Sequence, residues 1–572
     1  MSMIFCHAQI VTPGTGESYT LAGMLSDPSG FVTSTQPGCY AVHQSLTLSS
    51  NDTLMIDQNV QSITFDGNTT VIVKGVIVCA TRDSMLQIAG SRADTLQDYV
   101  TIRFDSTQTA SLSGIRFDHC KSVTLVNSDL TFDNCEFSNF SDIAVKYLSC
   151  NPTIQNCYFH HNQSSAIGSA VNLMGSPKIL NSRFYNNVLS NSNRAQINLG
   201  PGSADTILIA GNHIEGVASY QSGGIGISNL LTTTGTTNMI VRNNIIVHNR
   251  YGYTQIGYDI HTEIEGNTLA MNDLEPSPNN GGSGISIMGY SNTCTARIRH
   301  NLIYGNLWGI TVIGAPTVDM GTAEYPGENV IYDNGNSGVT YALYNNSSLD
   351  FYAVSNYWGT NSDTSAEAVI FDKTDYATLG QVFYQPIMTI NPVVLSCFAF
   401  DEADAETHYE GILSTEDSST FTIAMPQHST PLGDLEIVLD LPFGATDTLL
   451  EDINNTTLKQ SSRTLRYRIS TPHHDTREWT VRIEGPSAVA DYASESVILY
   501  PNPIQGNAFT LRGQTGNITK AEVYNTLGQR MYSVEGNSET LTIPAAGWPA
   551  GMYIVKISQG KKLTTLRTVK SR

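Results

Sequence analysis

The sequence predicts an all-β molecule: a solenoid of stacked coils over residues 10–390, with a cap reaching to about residue 45, followed by two small β-sandwiches. Three observations predict it. One short pattern recurs ten times between residues 112 and 358: an apolar residue, two spacers, a small polar residue that is usually Asn, one spacer and an apolar or aromatic residue. Alternating strands without that pattern occupy residues 391–486, and a run of short strands punctuated by Pro and Gly fills residues 497–572. A repeat of this kind means that each unit buries its apolar face on its neighbours instead of in one globular core.

In the solenoid the polar column runs through positions 115, 135, 157, 182, 212, 244, 267, 301, 329 and 356, in steps of 20 to 34 residues that suit one coil each. The clearest copies are Ile209/Asn212/Ile214, Val241/Asn244/Ile246, Ile264/Asn267/Leu269 and Ile298/Asn301/Ile303. Earlier copies put Cys135, Cys157 or Ser182 in the Asn position, and the last reads Ala353/Asn356/Trp358. A second Asn follows three residues after the closing apolar position in six copies: Asn162, Asn187, Asn249, Asn272, Asn306 and Asn334. It is read as a turn marker, because Asn tolerates left-handed backbone and bonds to its own turn. Next comes a small residue and Ile or Val, as in Ala166-Ile167, Gly284-Ile285, Gly309-Ile310 and Gly338-Val339, which opens another short strand. No long stretch has a helical period.

These residues resemble the right-handed parallel β-helix proteins of the pectate-lyase-like superfamily, over roughly residues 45 to 390. The phrase Asn356-Tyr357-Trp358-Gly359-Thr360 is similar to the Asn-Trp-Trp-Gly type of phrase that closes many such solenoids, which would set Trp358 over the last coil. Equivalent side chains of stacked coils lie about 4.8 Å apart. An inward column of Asn212, Asn244, Asn267, Asn301, Asn329 and Asn356 is therefore expected to form a structural ladder that satisfies its own amides.

Composition bounds the rest. A 572-residue chain is too long for one ordinary domain. It carries 51 acidic and 30 basic residues, a formal charge of −21, which argues against nucleic acid as a partner. With only 14% charged residues and much Asn, Ser, Thr, Gly and Tyr, its surface reads as that of a secreted β protein. Residues 1–9 are similar to the tail of a secretory signal peptide, with Ala8 at a cleavage position but without the basic start and full apolar stretch of such a signal. No apolar run approaches a membrane span, so export rather than a transmembrane segment is expected, with a monomer as product. Beyond Cys6, eight cysteines remain, at 39, 79, 120, 135, 150, 157, 294 and 397. Cys135 and Cys157 share one column, which leaves two readings open, a bridge between coils or a ladder of buried thiols.

Residues 391–486 alternate as in Leu435–Leu441, Leu465–Ile469 and Trp479–Ile483, and seven or so such strands suggest an immunoglobulin-like β-sandwich acting as a spacer. Leu441-Pro-Phe-Gly-Ala445 and Trp479-Thr-Val481 resemble a small sandwich module of Bacteroidota surface proteins. Residues 487–496 read as a linker. The end of the chain carries Tyr500, Pro501, Asn502 and Pro503, then Ala521-Glu-Val-Tyr-Asn525, Leu527, Gly528 and Gln529, and finally Gly551, Met552 and Tyr553 before a basic terminus. As an ordered set these resemble the type A sorting domain of the Bacteroidota type IX secretion system. The resemblance implies the secretion machinery as partner, passage through the periplasm, removal of the domain near residues 485–497, and a mature protein that is secreted or held on the outer-membrane cell surface. Lys561, Lys562, Arg567, Lys570 and Arg572 read as an electrostatic handle for that machinery.

The superfamily resemblance permits polysaccharide cleavage but does not establish it. A lyase needs carboxylates for Ca²⁺ and a basic residue on one face, and a hydrolase needs paired carboxylates. The catalytic candidates are Asp259, His261, Glu263 and Glu265, at two-residue spacing on one strand face. Asp333-Asn-Gly-Asn336 and Asn361-Ser-Asp363 resemble pieces of a Ca²⁺ loop without completing one, so no cofactor or metal is assigned. Tyr251, Tyr253 and Tyr258, if exposed together, would stack on sugars. The expected function is a non-enzymatic binding, adhesive or antigenic surface for glycan or host, with a polysaccharide lyase or glycoside hydrolase in the groove as the alternative.

Overall fold

The computed structural model describes residues 9–570, apart from 82, 91–98, 170–173, 217–220, 233–234, 402–403, 426–431, 457–460, 486–496, 505, 514–515, 526–528 and 561. Residues 1–8 of the signal-like start and the whole of the expected linker therefore lie outside the described residues. The chain divides into two units, residues 1–388 and 389–572.

The first unit is a right-handed parallel β-helix. Among the described residues its coils feed sheets of 14, 13 and 11 strands. One coil shows the plan: Tyr253–Gly257 lies in the 14-stranded sheet, Ile260–Glu265 in the 11-stranded sheet and Thr268–Ala270 in the 13-stranded sheet. Stacking is parallel and in register, so Ile264 pairs with Val241 below and Ile298 above, and all three side chains are fully buried. In the early coils the equivalent column of the 13-stranded sheet is aromatic. Phe117, Phe137, Phe159 and Phe184 stack with ring centroids 5.1, 4.5 and 5.0 Å apart.

Both Asn columns are inward ladders. Asn267 Nδ2 donates to Val241 O at 2.9 Å and to Asn301 Oδ1 at 3.0 Å, and its own Oδ1 accepts from Asn244 Nδ2 at 2.9 Å. The same bonds run from Asn212 to Asn356. The second column departs from the expected turn marker: Asn249, Asn272, Asn306 and Asn334 are buried and linked in a ladder of their own. The left-handed turn is taken one residue earlier, at His161, Asn186, His248, Met271, Gly305 and Asp333. The first column shows the same offset, at Asn134, Asn156, Asn181, Gly211, Asn243, Gly266 and His300. The corner residue bends the chain and thereby turns the next side chain inward.

Cys135 and Cys157 take the Asn place as free thiols. Their Sγ atoms donate to Leu112 O and Phe132 O, both at 3.6 Å, the carbonyls equivalent to the one that Asn267 uses. Trp358 is buried at 2% exposure, but a further partial coil, Ile370–Phe371 and Val382–Phe383, stacks beyond it, so it is not the last cover.

In the second unit, residues 396–484 form a sandwich of three strands (Asp404–Glu410, Ser396–Asp401, Leu435–Asp440) on five (Ile412–Leu413, Thr420–Ala424, Thr476–Glu484, Ser461–Ser470, Thr446–Thr456). Trp479 and Leu465 fill its core, and the buried Arg463 grips Asp452 at 2.9 and 2.8 Å. A second sandwich, with sheets of three and four strands, spans Val497–Tyr500 to Lys562–Lys570.

Candidate functional site

The strand Ile260–Glu265 turns His261, Glu263 and Glu265 outward, as its alternation requires, while Asp259 lies before it in a left-handed turn. Each outward residue meets a side chain of the next coil. Thr295 Oγ1 and His261 Nδ1 are 3.0 Å apart, Arg297 pairs with Glu263 at 2.9 Å, and His300 sits 3.9 Å from Glu265 and 3.0 Å from Glu328. Arg299, nearly buried, holds Asp319 at 2.7 Å, and Arg297 approaches the same carboxylate at 3.9 Å. Acids and bases thus gather on one outer face of adjacent coils, yet as a solvent-facing ladder in which Glu263 and Asp319 are paired with arginines and Glu265 faces His300. Exposed pairs of this type contribute little energy each, about 1 kcal/mol or less.

The three tyrosines do not share a surface. Tyr253 is fully buried, its hydroxyl oxygen within hydrogen-bond reach of both Gln255 Oε1 and Thr262 Oγ1, at 3.0 Å each. Tyr251 packs on Gly223, where any Cβ would lie 2.1 Å from the ring, and burial pushes its phenol up to about 12. Tyr258 meets Tyr290 edge-on at 5.3 Å.

An aromatic strip lies elsewhere, on the last coils of the 14-stranded sheet. Tyr344 pairs in register with Thr311 and Phe371, and its ring stacks on Phe371 at 4.7 Å with 11° between planes. Trp308, which opens the strand Trp308–Gly314, is 5.0 Å from Tyr344 and 4.7 Å from Tyr341. Its indole N–H donates to Pro278 O at 2.9 Å, which locks the ring. All four rings are half-buried. Sequence reading missed the strip because its members come from three coils at unequal spacing; only the register aligns them.

In the C-terminal sandwich the motif residues tie the first strand to the last. Asn502 Oδ1 accepts from Thr568 Oγ1 at 3.0 Å and Val569 N at 3.3 Å, and its Nδ2 donates to Arg567 O at 3.2 Å. Pro501 and Pro503 flank it, and Tyr500 ends the strand Val497–Tyr500 half exposed. Gln529 N donates to Asn525 Oδ1 at 3.0 Å, closing the turn. Leu527 and Gly528 lie outside the described residues. Gly551, Met552 and Tyr553 begin the strand Gly551–Gln559, with the Tyr553 hydroxyl donating to Pro549 O at 2.7 Å. Two members of the expected basic handle are engaged within the molecule. Arg567 pairs with Glu436 at 2.9 Å and lies 4.4 Å from the Phe400 ring, and Lys570 donates to Ala545 O. Lys561 and Arg572 lie outside the described residues, as does the Lys562 side chain.

Residues 498–571 match the family model for a secretion system C-terminal sorting domain. Residues 51–206 match the right handed beta helix region, and residues 253–365 match a protein family of unknown function, DUF1565. No curated protein matches the chain. Among solved structures, the periplasmic alginate epimerase AlgG is 12% identical with a TM-score of 0.35, over 64% of this chain and 83% of that one. The Dettilon tailspike protein is 10% identical with a TM-score of 0.29, over 91% and 84%. The chain is a right-handed parallel β-helix protein with a type IX secretion system sorting domain at its C-terminus, exported by that system to the cell surface or beyond.

Proposed function

We propose that the β-helix is a non-enzymatic carbohydrate-binding surface, displayed or released after export. The observation that carries this reading is the strip of Trp308, Tyr341, Tyr344 and Phe371. Aromatic faces bind the C–H faces of sugar rings, and a ring held by a hydrogen bond, as Trp308 is, loses little freedom on binding. The sandwich of residues 396–484 acts as a spacer. A glycan array with the full chain tests the reading: neutral glycans should be retained, and Trp308→Ala or Tyr344→Ala should weaken retention at least about tenfold, or ~1.4 kcal/mol. Retention unchanged in both variants would overturn it.

The second reading, a lyase or hydrolase, is favoured by the gathering of Glu263, Glu265, Asp319, Arg297 and Arg299 on one face. It requires release of unsaturated or reducing ends from pectate, alginate or glycosaminoglycans, lost in Glu263→Gln. The ion pairs weigh against it, because a guanidinium held by carboxylates is poorly placed to take a proton.

A further inference from the structure

The outer face of the 13-stranded sheet carries a different constellation in its early coils. Register places Arg116, Glu136, Tyr158, Arg183 and His213 in one column, and Asp118, Ser138, His160, Tyr185 and Glu215 in the next. The Glu136 carboxylate is held at both oxygens, by Arg116 at 2.9 Å and His160 at 3.1 Å. His160 and His161 share a hydrogen bond of 2.9 Å. Arg183 is the exception. Its guanidinium lies 5.4 Å from the centroid of Tyr158 and 5.3 Å from that of Tyr185, and it has no ion-pair partner among the described residues. On a chain with 51 acidic residues, an exposed arginine clamped by two rings and left without a carboxylate is conspicuous.

The guanidinium lies over the faces of both rings and makes no side-chain hydrogen bond among the described residues, so its N–H edge is free to bond. That edge matches an oxyanion bidentately. Beside it in the column, the His213 Nε2 atom is buried and without a hydrogen bond, its nearest carboxylate oxygen, on Glu215, being 3.5 Å away. Two phenol rings around a cation offer flat apolar area next to the charge. We propose that Arg183, Tyr158, Tyr185 and His213 form a second saccharide site, selective for an oxyanion carried on a sugar, either a carboxylate or a sulfate ester. Arg183 clamps the anion, the tyrosines flank the guanidinium and border the sugar, and the partly exposed His213 side chain lines the site on the next coil. This site is independent of the aromatic strip, which lies on another sheet.

The test uses the full chain in physiological salt on three surfaces: dextran sulfate, carboxymethyl-dextran and plain dextran. The net charge of −21 opposes unspecific capture by polyanions, so retention on them requires a local site. Binding to at least one charged dextran should be ten or more times tighter than to dextran, and the arm that binds identifies the anion. Arg183→Gln should lose that difference at least tenfold, and Arg183→Lys several-fold, since a point charge lacks the fork. Arg183 makes no ion pair among the described residues, so both variants should keep the wild-type melting behaviour. Arg297→Gln, on the 11-stranded sheet, should leave binding unchanged. Equal binding to all three surfaces, full retention in Arg183→Gln, or an equal loss in Arg297→Gln would overturn the proposal.

Discussion

At the scale of single residues, the solenoid rests on pairs of neighbours with opposite tasks: one residue bends the backbone and the next satisfies it. Met271 has φ of 51° and is more than a third exposed, a conformation that costs a side chain other than Gly, Asn or Asp about 1 kcal/mol or more. Met271→Asn should therefore raise stability by roughly 1 kcal/mol, visible as a higher melting temperature of the β-helix; a lower one would mean that the methionine packs more than it strains. Next to such corners the ladder amides have no substitute in water. Asn267→Leu removes the acceptor of Asn244 and the donor to Val241 O, and should cost about 3 kcal/mol or more. Asn267→Cys should cost distinctly less, because Cys157 already makes the equivalent bond to Phe132 O. Denaturant unfolding of the three variants ranks them.

At the scale of elements, the two sandwiches of the second unit meet through few but specific contacts. Lys556 pairs with Asp440 at 2.7 Å, and Arg567 joins Glu436 and the Phe400 ring. His408 stacks on Phe400 at 5.7 Å, and burial, reinforced by the Arg567 charge, holds its imidazole below the ordinary value of 6.5. A histidine whose folded pKa is depressed binds its proton more tightly when unfolded, so stability rises with pH up to about 6.5 and is flat above it. Acidification below that value should loosen this region, with the loss complete once pH has fallen through the folded pKa. Melting curves of residues 389–572 within the full chain, followed from pH 7.5 to 5, should show the decline, and His408→Gln should reduce it. A decline of the same size in the variant would assign it to other groups.

For the whole molecule, the sorting domain makes a prediction that does not depend on what the β-helix binds. Deleting residues 497–572 should leave folded protein in the periplasm, and fusing them behind a periplasmic reporter should carry the reporter out. The stretch proposed for processing, residues 485–494, lies outside the described residues beyond Gly485, and mass spectrometry of surface material should find a C-terminus between 485 and 497. Intact Arg572 on mature protein would contradict removal, and normal display of the deleted chain would overturn the sorting role.

The sequence by itself determined the repeat, the inward register and the export domain, because each is written in short-range order. A column of Asn and β-branched residues at one step per coil has one way to bury itself, which is why Ile264 and Ile298 are wholly enclosed. The left-handed corners were legible too, in the Asn, Gly and His that precede the ladder at 243, 266 and 300, although the eye is drawn to the ladder residue itself. Tertiary structure alone decided which side chains become neighbours across coils. Insertions make the coils unequal, so Trp308, Tyr344 and Phe371 lie far apart in the chain and within one aromatic contact of the next in space. It also decided the fate of charges: Glu263 is neutralised by Arg297, 34 residues on, while Arg183 lies over two rings with no carboxylate partner among the described residues. Pairing energy depends on separations of a few ångströms, and in a solenoid those separations are set by stacking register, not by distance along the chain.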